Sequence, residues 1–253
     1  MKKLSNALVF FFVVCLVVGV AMISVGYGIT DQKSFRLTDI LGFGVIEDKD
    51  YQSLNLSDIE NVKIEANSKV IFRQGDSLKL IYTTPSDSVS VSGDNLTVKE
   101  KNTNTIGFYF GKVKVDTIII EYPADYEFSN VDLSIDVSSI IIDDLNALNL
   151  YIDNDAGSNE VNGGAIGNID IDSDVGSTKI DGVDFGSLKG KVDVGSITIN
   201  LIDDVSQYSM KLSGDVASIK VDGEDVGDYN SDGLSDKTID LASDVGSIKI
   251  NSR

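Results

Sequence analysis

From Val131 onward, apolar residues fall at every second position in short bursts. They stand at Val131/Leu133, Leu150/Ile152, Ile169/Ile171, Met210/Leu212 and Ile239/Leu241, and again at Ile140/Ile142, Ile197/Ile199, Ile219/Val221 and Ile248/Ile250. Period-two alternation rich in β-branched residues predicts short strands buried on one face. Between the bursts a signal of the form Asp-Val-Gly-Ser returns six times. Its aspartates are Asp136, Asp155, Asp174, Asp193, Asp215 and Asp244, at spacings of 19, 19, 19, 22 and 29 residues. Two places on, the residue is always small: Gly157, Gly176, Gly195 and Gly246, with Ser138 and Ala217 in the other copies. Three places on it is always Ser: Ser139, Ser158, Ser177, Ser196, Ser218 and Ser247. Seven places on it is Asp or Asn: Asp143, Asn162, Asp181, Asn200, Asp222 and Asn251.

A unit this short cannot bury its apolar face alone, so copies must stack. The pattern predicts an all-β protein whose residues 131–253 form a single-stack parallel β-solenoid, each strand about 4.8 Å from the next. A β-sandwich in which the motif joins antiparallel hairpins is the alternative. The wider spacings read as loop insertions, at Asp203–Gln207 and Glu224–Lys237. Residues 58–130 alternate too, at Val62/Ile64, Val70/Phe72, Leu78/Leu80/Tyr82, Val89/Val91, Leu96/Val98 and Val113/Val115, but lack the motif. They read as irregular first rungs or a cap, which a solenoid needs to protect its terminal edge. At the other end Ile248–Ile250 reads as an uncapped edge, a route to self-association.

The pattern changes character at the N-terminus. Lys2 and Lys3 precede an uncharged stretch, Ala7 to Val25, which as a helix would span about 29 Å, the thickness of a bilayer core. The expected division is a cytoplasmic tail (1–6), a transmembrane signal anchor (7–29) and a juxtamembrane linker (30–57), with the C-terminal part extracytoplasmic in a single-pass cell-membrane protein. Cleavage after Val20 is the other reading of the same segment. Cys15 reads as a small residue inside the helix, because Val14 precedes it where a lipoprotein site wants a small residue.

Composition then removes function classes. The 253 residues include no His and no Trp, one Cys and two Pro, with a net charge of −19. Without His there is no histidine-based nucleophile activation and no histidine metal ligand, and one Cys excludes an internal disulfide. Lys2 and Lys3 are the only charges before position 31, so the part beyond the apolar run carries −21. That charge repels nucleic-acid phosphates.

An apolar anchor, a strand-rich region, a strand ending at Tyr122-Pro123 and serial Asp-Val-Gly-Ser-x-x-Ile units together resemble the putative-adhesin family, a set of bacterial and archaeal domains of unknown function. The resemblance covers about residues 58–253. It implies a cell-envelope β-repeat protein that binds a surface or envelope protein or polysaccharide, or a regulatory partner in envelope-stress sensing, with no catalytic residues to carry over.

The repeated aspartates have two readings. Each accepts hydrogen bonds from backbone N–H groups in a turn, with the glycine at positive φ and the serine bonding the same turn. Alternatively the stacked carboxylates bind Ca²⁺, which rests on ligand type and charge density alone. A carbohydrate hydrolase would need a carboxylate pair, for which Asp143-Asp144, Asp203-Asp204 and Asp170/Asp172 are candidates. The expected protein is therefore an adhesin-like binding or scaffold module without cofactor, with envelope sensing as the alternative and hydrolysis as the minor one.

Overall fold

The computed structural model describes residues 51–83, 89–100 and 116–252, all within one compact unit. The expected tail, anchor and most of the linker (1–50), and Val113/Val115 with their surroundings, lie outside the described residues. No helix among those described is long and apolar enough to cross a membrane.

The described chain is all-β. Seven short strands come first: β1 (Gln52–Asn55), β2 (Asn61–Ala66), β3 (Lys69–Gln74), β4 (Lys79–Tyr82), β5 (Val89–Ser92), β6 (Asn95–Lys99) and β7 (Thr117–Tyr122). Four strands of 17 residues follow: β8 (Glu127–Asp143), β9 (Asn146–Asn162), β10 (Ala165–Asp181) and β11 (Asp184–Asn200). After a 3₁₀ turn at Val205–Gln207 come β12 (Tyr208–Val221), β13 (Glu224–Asp225), β14 (Tyr229–Ser231) and β15 (Lys237–Asn251). β1 falls in the stretch assigned above to the linker, so regular pairing begins at Gln52.

β8, β9, β10 and β11 pair parallel and in register, each residue opposite the one 19 further on: Leu133↔Ile152, Ile152↔Ile171, Ile171↔Gly190. The Asp-Val-Gly-Ser motif lies within each long strand and joins no antiparallel hairpin. Buried residues alternate on both sides of it, at Leu150, Ile152 and Asn154 and then at Asn159 and Val161. The five-residue step from Asn154 to Asn159 reverses the phase, so the strand bends at the motif while both halves face one continuous core. Within that core Asn159 accepts from Asn154 Nδ2 (2.8 Å) and donates to Ser173 Oγ (2.8 Å) and Thr178 Oγ1 (3.2 Å), a buried polar cluster among the aliphatic columns.

The cap repeats this arrangement with broken strands. β2 pairs parallel with the first half of β8 and β3 with the second half. Behind them β6 pairs parallel with β2 and β7 with β3. Antiparallel β4 and β5 cover β7 and β6, and β1 covers β4.

The far end departs from expectation. The sheet order is β11-β15-β12-β13, so β15, which carries Ile248–Ile250, lies between β11 and β12 and is not an edge. Leu188 faces Ile239 on one side of it and Met210 faces Ile239 on the other, both parallel. The last strand of the parallel stack is β12, and antiparallel β14 and β13 cover its outer side at Met210–Leu212 and Lys220–Val221. This order accounts for the two irregular spacings. Three extra residues after β11 let the chain step over one strand position to reach β12. The longer interval after β12 carries β13 and β14 and returns the chain to fill the vacant position.

Candidate functional site

The bend in each long strand is built around its glycine. Gly157, Gly176, Gly195 and Gly246 have φ of +157°, +155°, +153° and +145°, the region that favours glycine. A Cβ on Gly176 would overlap the carbonyl oxygen of Gly157. Gly157, Gly195 and Gly246 stand in the same relation to Ser138, Gly176 and Gly195. Each bend therefore requires a missing side chain because the neighbouring strand's carbonyl fills that space. Ser138 and Ala217, the two departures, stand in the first and last strands of the stack, and neither has positive φ.

The other motif positions face outward. The valines beside the aspartates, Val137, Val175, Val194, Val245 and Val216, are 47% to 72% exposed. With Ala156 they make an apolar row in which neighbours are paired strand to strand. The six aspartates run alongside. The expected bonds from backbone N–H groups are not formed: among the described residues, the one hydrogen bond to these six carboxylates comes from Lys191 Nζ to Asp193. In the serine row the one side-chain bond is Ser218 Oγ to Asp225 Oδ1 (3.3 Å). The physical reason is that the neighbouring strands already engage the backbone on both sides of the bend, leaving no free turn for an Asp or Ser to cap. No three carboxylates converge on a point that could hold a metal ion, among the described residues.

The residue seven places beyond each Asp has a different job. Asn162 Nδ2 donates to Asp143 Oδ1 (2.9 Å) and Asn251 Nδ2 to Asn200 Oδ1 (2.9 Å), bonds that run from strand to strand. A second ladder, not singled out in the sequence, links Asn61, Asn130, Asn149 and Asn168 at 2.7, 2.9 and 3.0 Å. Their common 19-residue offset from Asn130 to Asn168 is the signal that could have found it.

The candidate acid pairs are placed apart in role. Asp143 is in the ladder, and Asp144 has φ of +56° in the turn that ends β8. Asp204 accepts from Ser206 N (2.9 Å) at the start of the 3₁₀ turn, and Asp203 pairs with Lys237. Asp170 and Asp172 stand exposed on β10. With Asp132 and Asp153 they lie near the exposed Tyr151, whose hydroxyl pKa is raised by burial first and then by these four carboxylates. Burial, followed by repulsion from Asp155, Asp172, Asp174 and Asp132, raises the Asp153 carboxyl above its ordinary range.

Lys237, which no motif marks, forms the most connected charged cluster near the far end. Its Nζ lies 2.8 Å from Asp184 Oδ1 and 2.9 Å from Asp203 Oδ2, and 5.5 Å from the centroid of the buried Tyr208 ring. Hydrogen bonding to Asp184 is the main cause that raises its pKa.

No family model matches the chain, and no curated protein does. Among solved structures it is similar to a putative adhesin from Bacteroides fragilis, at 13% identity over 79% of this chain and 95% of that one, with a TM-score of 0.44. It is also similar to a putative cell adhesion protein from Clostridium sporogenes (16% identity, 81% of this chain, 99% of that one, TM-score 0.42). A third is a putative lipid binding protein from Parabacteroides distasonis (14%, 81%, 96%, TM-score 0.29).

Proposed function

We propose that this protein is an adhesin-like binding or scaffold module, built as a single-stack parallel β-solenoid and held on the outer side of a membrane by the apolar segment Ala7–Val25. The solenoid reading is supported by chain geometry. β9 has 17 residues, which extended would cover about 56 Å. Yet Asn162 is only three residues from Ala165, which pairs with Asn146 at the start of β9. Three Cα steps cover at most about 11 Å, which supports a strand that wraps back toward its own beginning.

The observation that carries the binding reading is the outward row of valines beside aspartates. These side chains recur at one position of five of the six long strands, with Ala156 in the sixth, and all five are exposed. Two of the three acid pairs, Asp143-Asp144 and Asp203-Asp204, are engaged in a ladder, turns and an ion pair, which supports a non-enzymatic role. The test is binding of the purified chain to isolated envelope fractions, comparing it with a chain in which Val175, Val194 and Val245 are replaced by Ser. Equal thermal stability with at least tenfold weaker binding is expected. Undiminished binding by the substituted chain would overturn the reading.

A further inference from the structure

The geometry points to a cationic amphipathic helix as the partner of the outward valine row, its apolar side laid along the row and its lysines or arginines facing the aspartates beside it. This rests on the binding reading above and adds the chemistry and shape of what binds. Charge sets the first condition. Residues 131–253 hold 24 acidic against 8 basic residues, a net −16, whereas residues 51–130 hold 11 against 8, a net −3. The field of the stack therefore attracts a cation and repels an acidic or phosphate-bearing partner.

The charge lies on one side of the row. Next to the valines run the motif aspartates, and beyond these β8, β9 and β10 carry Asp132, Asp153, Asp170 and Asp172 at paired positions. Lys63 on β2 pairs with Asp132 at one end of this stretch. At the other end the paired positions turn basic, with Lys189 and Lys191 on β11. On the far side of the row stand the glycine and serine columns, which carry no charge. Asp153, already harder to ionise through burial and then through its carboxylate neighbours, gains from a cation alongside.

Spacing sets the second condition. The row crosses the strands, so Val137, Ala156, Val175 and Val194 follow one another at about 4.8 Å. A helix laid across the strands offers an apolar residue about every 5.4 Å, once per turn, and over the three intervals drifts by only about 2 Å. An extended partner in the same direction repeats a face about every 6.8 Å and drifts by about 6 Å. It gains no main-chain pairing in exchange, because the neighbouring strands already engage the backbone on both sides. A helix whose apolar stripe is bordered by basic residues on one flank therefore fits both the row and its charged side.

The test uses the full chain in nonionic detergent, with binding to detergent alone subtracted, and synthetic peptides of about 15 residues, enough for four turns. One peptide has leucine at every third or fourth position and lysine elsewhere, the second scrambles the same residues, and the third has glutamate for lysine. The first should bind at least tenfold tighter than either of the others. Val175→Ser with Val194→Ser should weaken it at least fivefold, and so should Asp155→Asn with Asp174→Asn. All four side chains are exposed, so the fold should be kept, which thermal unfolding checks. Glu224→Gln with Asp232→Asn removes equal charge from exposed positions of the connection between β12 and β15, and should change binding less than twofold. Equal binding of the ordered and scrambled peptides, or equal losses from the two acid pairs, would reduce the contact to bulk charge and overturn the proposal. Valine-dependent binding of envelope fractions in that event would leave the adhesin-like reading standing without it. Self-association of the chain that the valine substitutions abolish would give the row to a second copy and overturn the proposal as well.

Discussion

The strands β8 to β11 and the strands β12 and β15 carry the same repeat but use it differently. In the first group chain order and spatial order coincide, every interval is 19 residues, and each bend after the first, where β8 has Ser138, holds a glycine under its neighbour's carbonyl. In the second group the chain overshoots, leaves a position empty and returns to fill it. The last strand of the stack, β12, has Ala217 where the interior has glycine. Its bend is built differently, with Gly214 making room: a Cβ there would lie 2.7 Å from the Ala217 Cβ. The same local pattern therefore specifies a strand and a bend, while the length of the connection specifies where that strand goes.

The largest effect that separates the two groups is expected at the bends. Gly176→Ala places a Cβ on a backbone carbonyl at φ of +155°, and should cost more than about 3 kcal/mol in urea unfolding. Ala217→Gly, in the last strand, should change stability by less than about 1 kcal/mol. Equal costs at the two positions would show that stacking does not set the glycine requirement.

Next in size is the buried polar cluster, which only β9 and β10 share. Asn159→Ala leaves Asn154, Ser173 and Thr178 short of partners and should cost about 2 kcal/mol. Smaller still is the clasp on β15. Lys237→Ala should cost about 1 kcal/mol, an estimate lowered because both carboxylates are about half exposed, and the loss should shrink in 1 M salt. The folded pKa of Lys237 is raised, so its contribution is fully present at neutral pH and fades only as pH rises above the ordinary lysine range.

The smallest effect has the opposite sign. Asp153 is harder to ionise in the folded chain, so its charge opposes folding at neutral pH and that penalty is relieved as pH falls into the carboxylate range. Asp153→Asn should raise stability at pH 7 by up to about 0.5 kcal/mol, with the gain disappearing in acid. A gain that persists in acid would locate the effect elsewhere.

Much of the stack was legible in the sequence because period-two alternation and a 19-residue interval are local signals. The parallel register from β8 to β11 is the one those signals predict, with antiparallel hairpins at the motif as the alternative they left open. The position of β15 does not, since a repeat can stack on either face of the pile. Only the intervals of 22 and 29 residues hint at the detour, and they read equally well as loops. The glycines were marked by position, but their cause is a carbonyl on another strand. The aspartates misled for a related reason: Asp before Gly suggests a capped turn, whereas here the backbone is paired on both sides and the carboxylate is left outside. Lys237 carried no signal, because Asp184 and Asp203 are brought to it only by the strand order.

That strand order is the claim most directly open to measurement. Two double-cysteine chains, each with Cys15→Ser, should be oxidised at low concentration: Ser196→Cys with Ser247→Cys, and Ser196→Cys with Ser218→Cys. With β15 between β11 and β12, the first pair is one strand spacing apart, about 4.8 Å, and the second two, about 9.6 Å. The first pair should form its internal disulfide nearly completely and the second should remain reduced. Ready closure of the second pair with none in the first would place β12 directly against β11 and contradict the account.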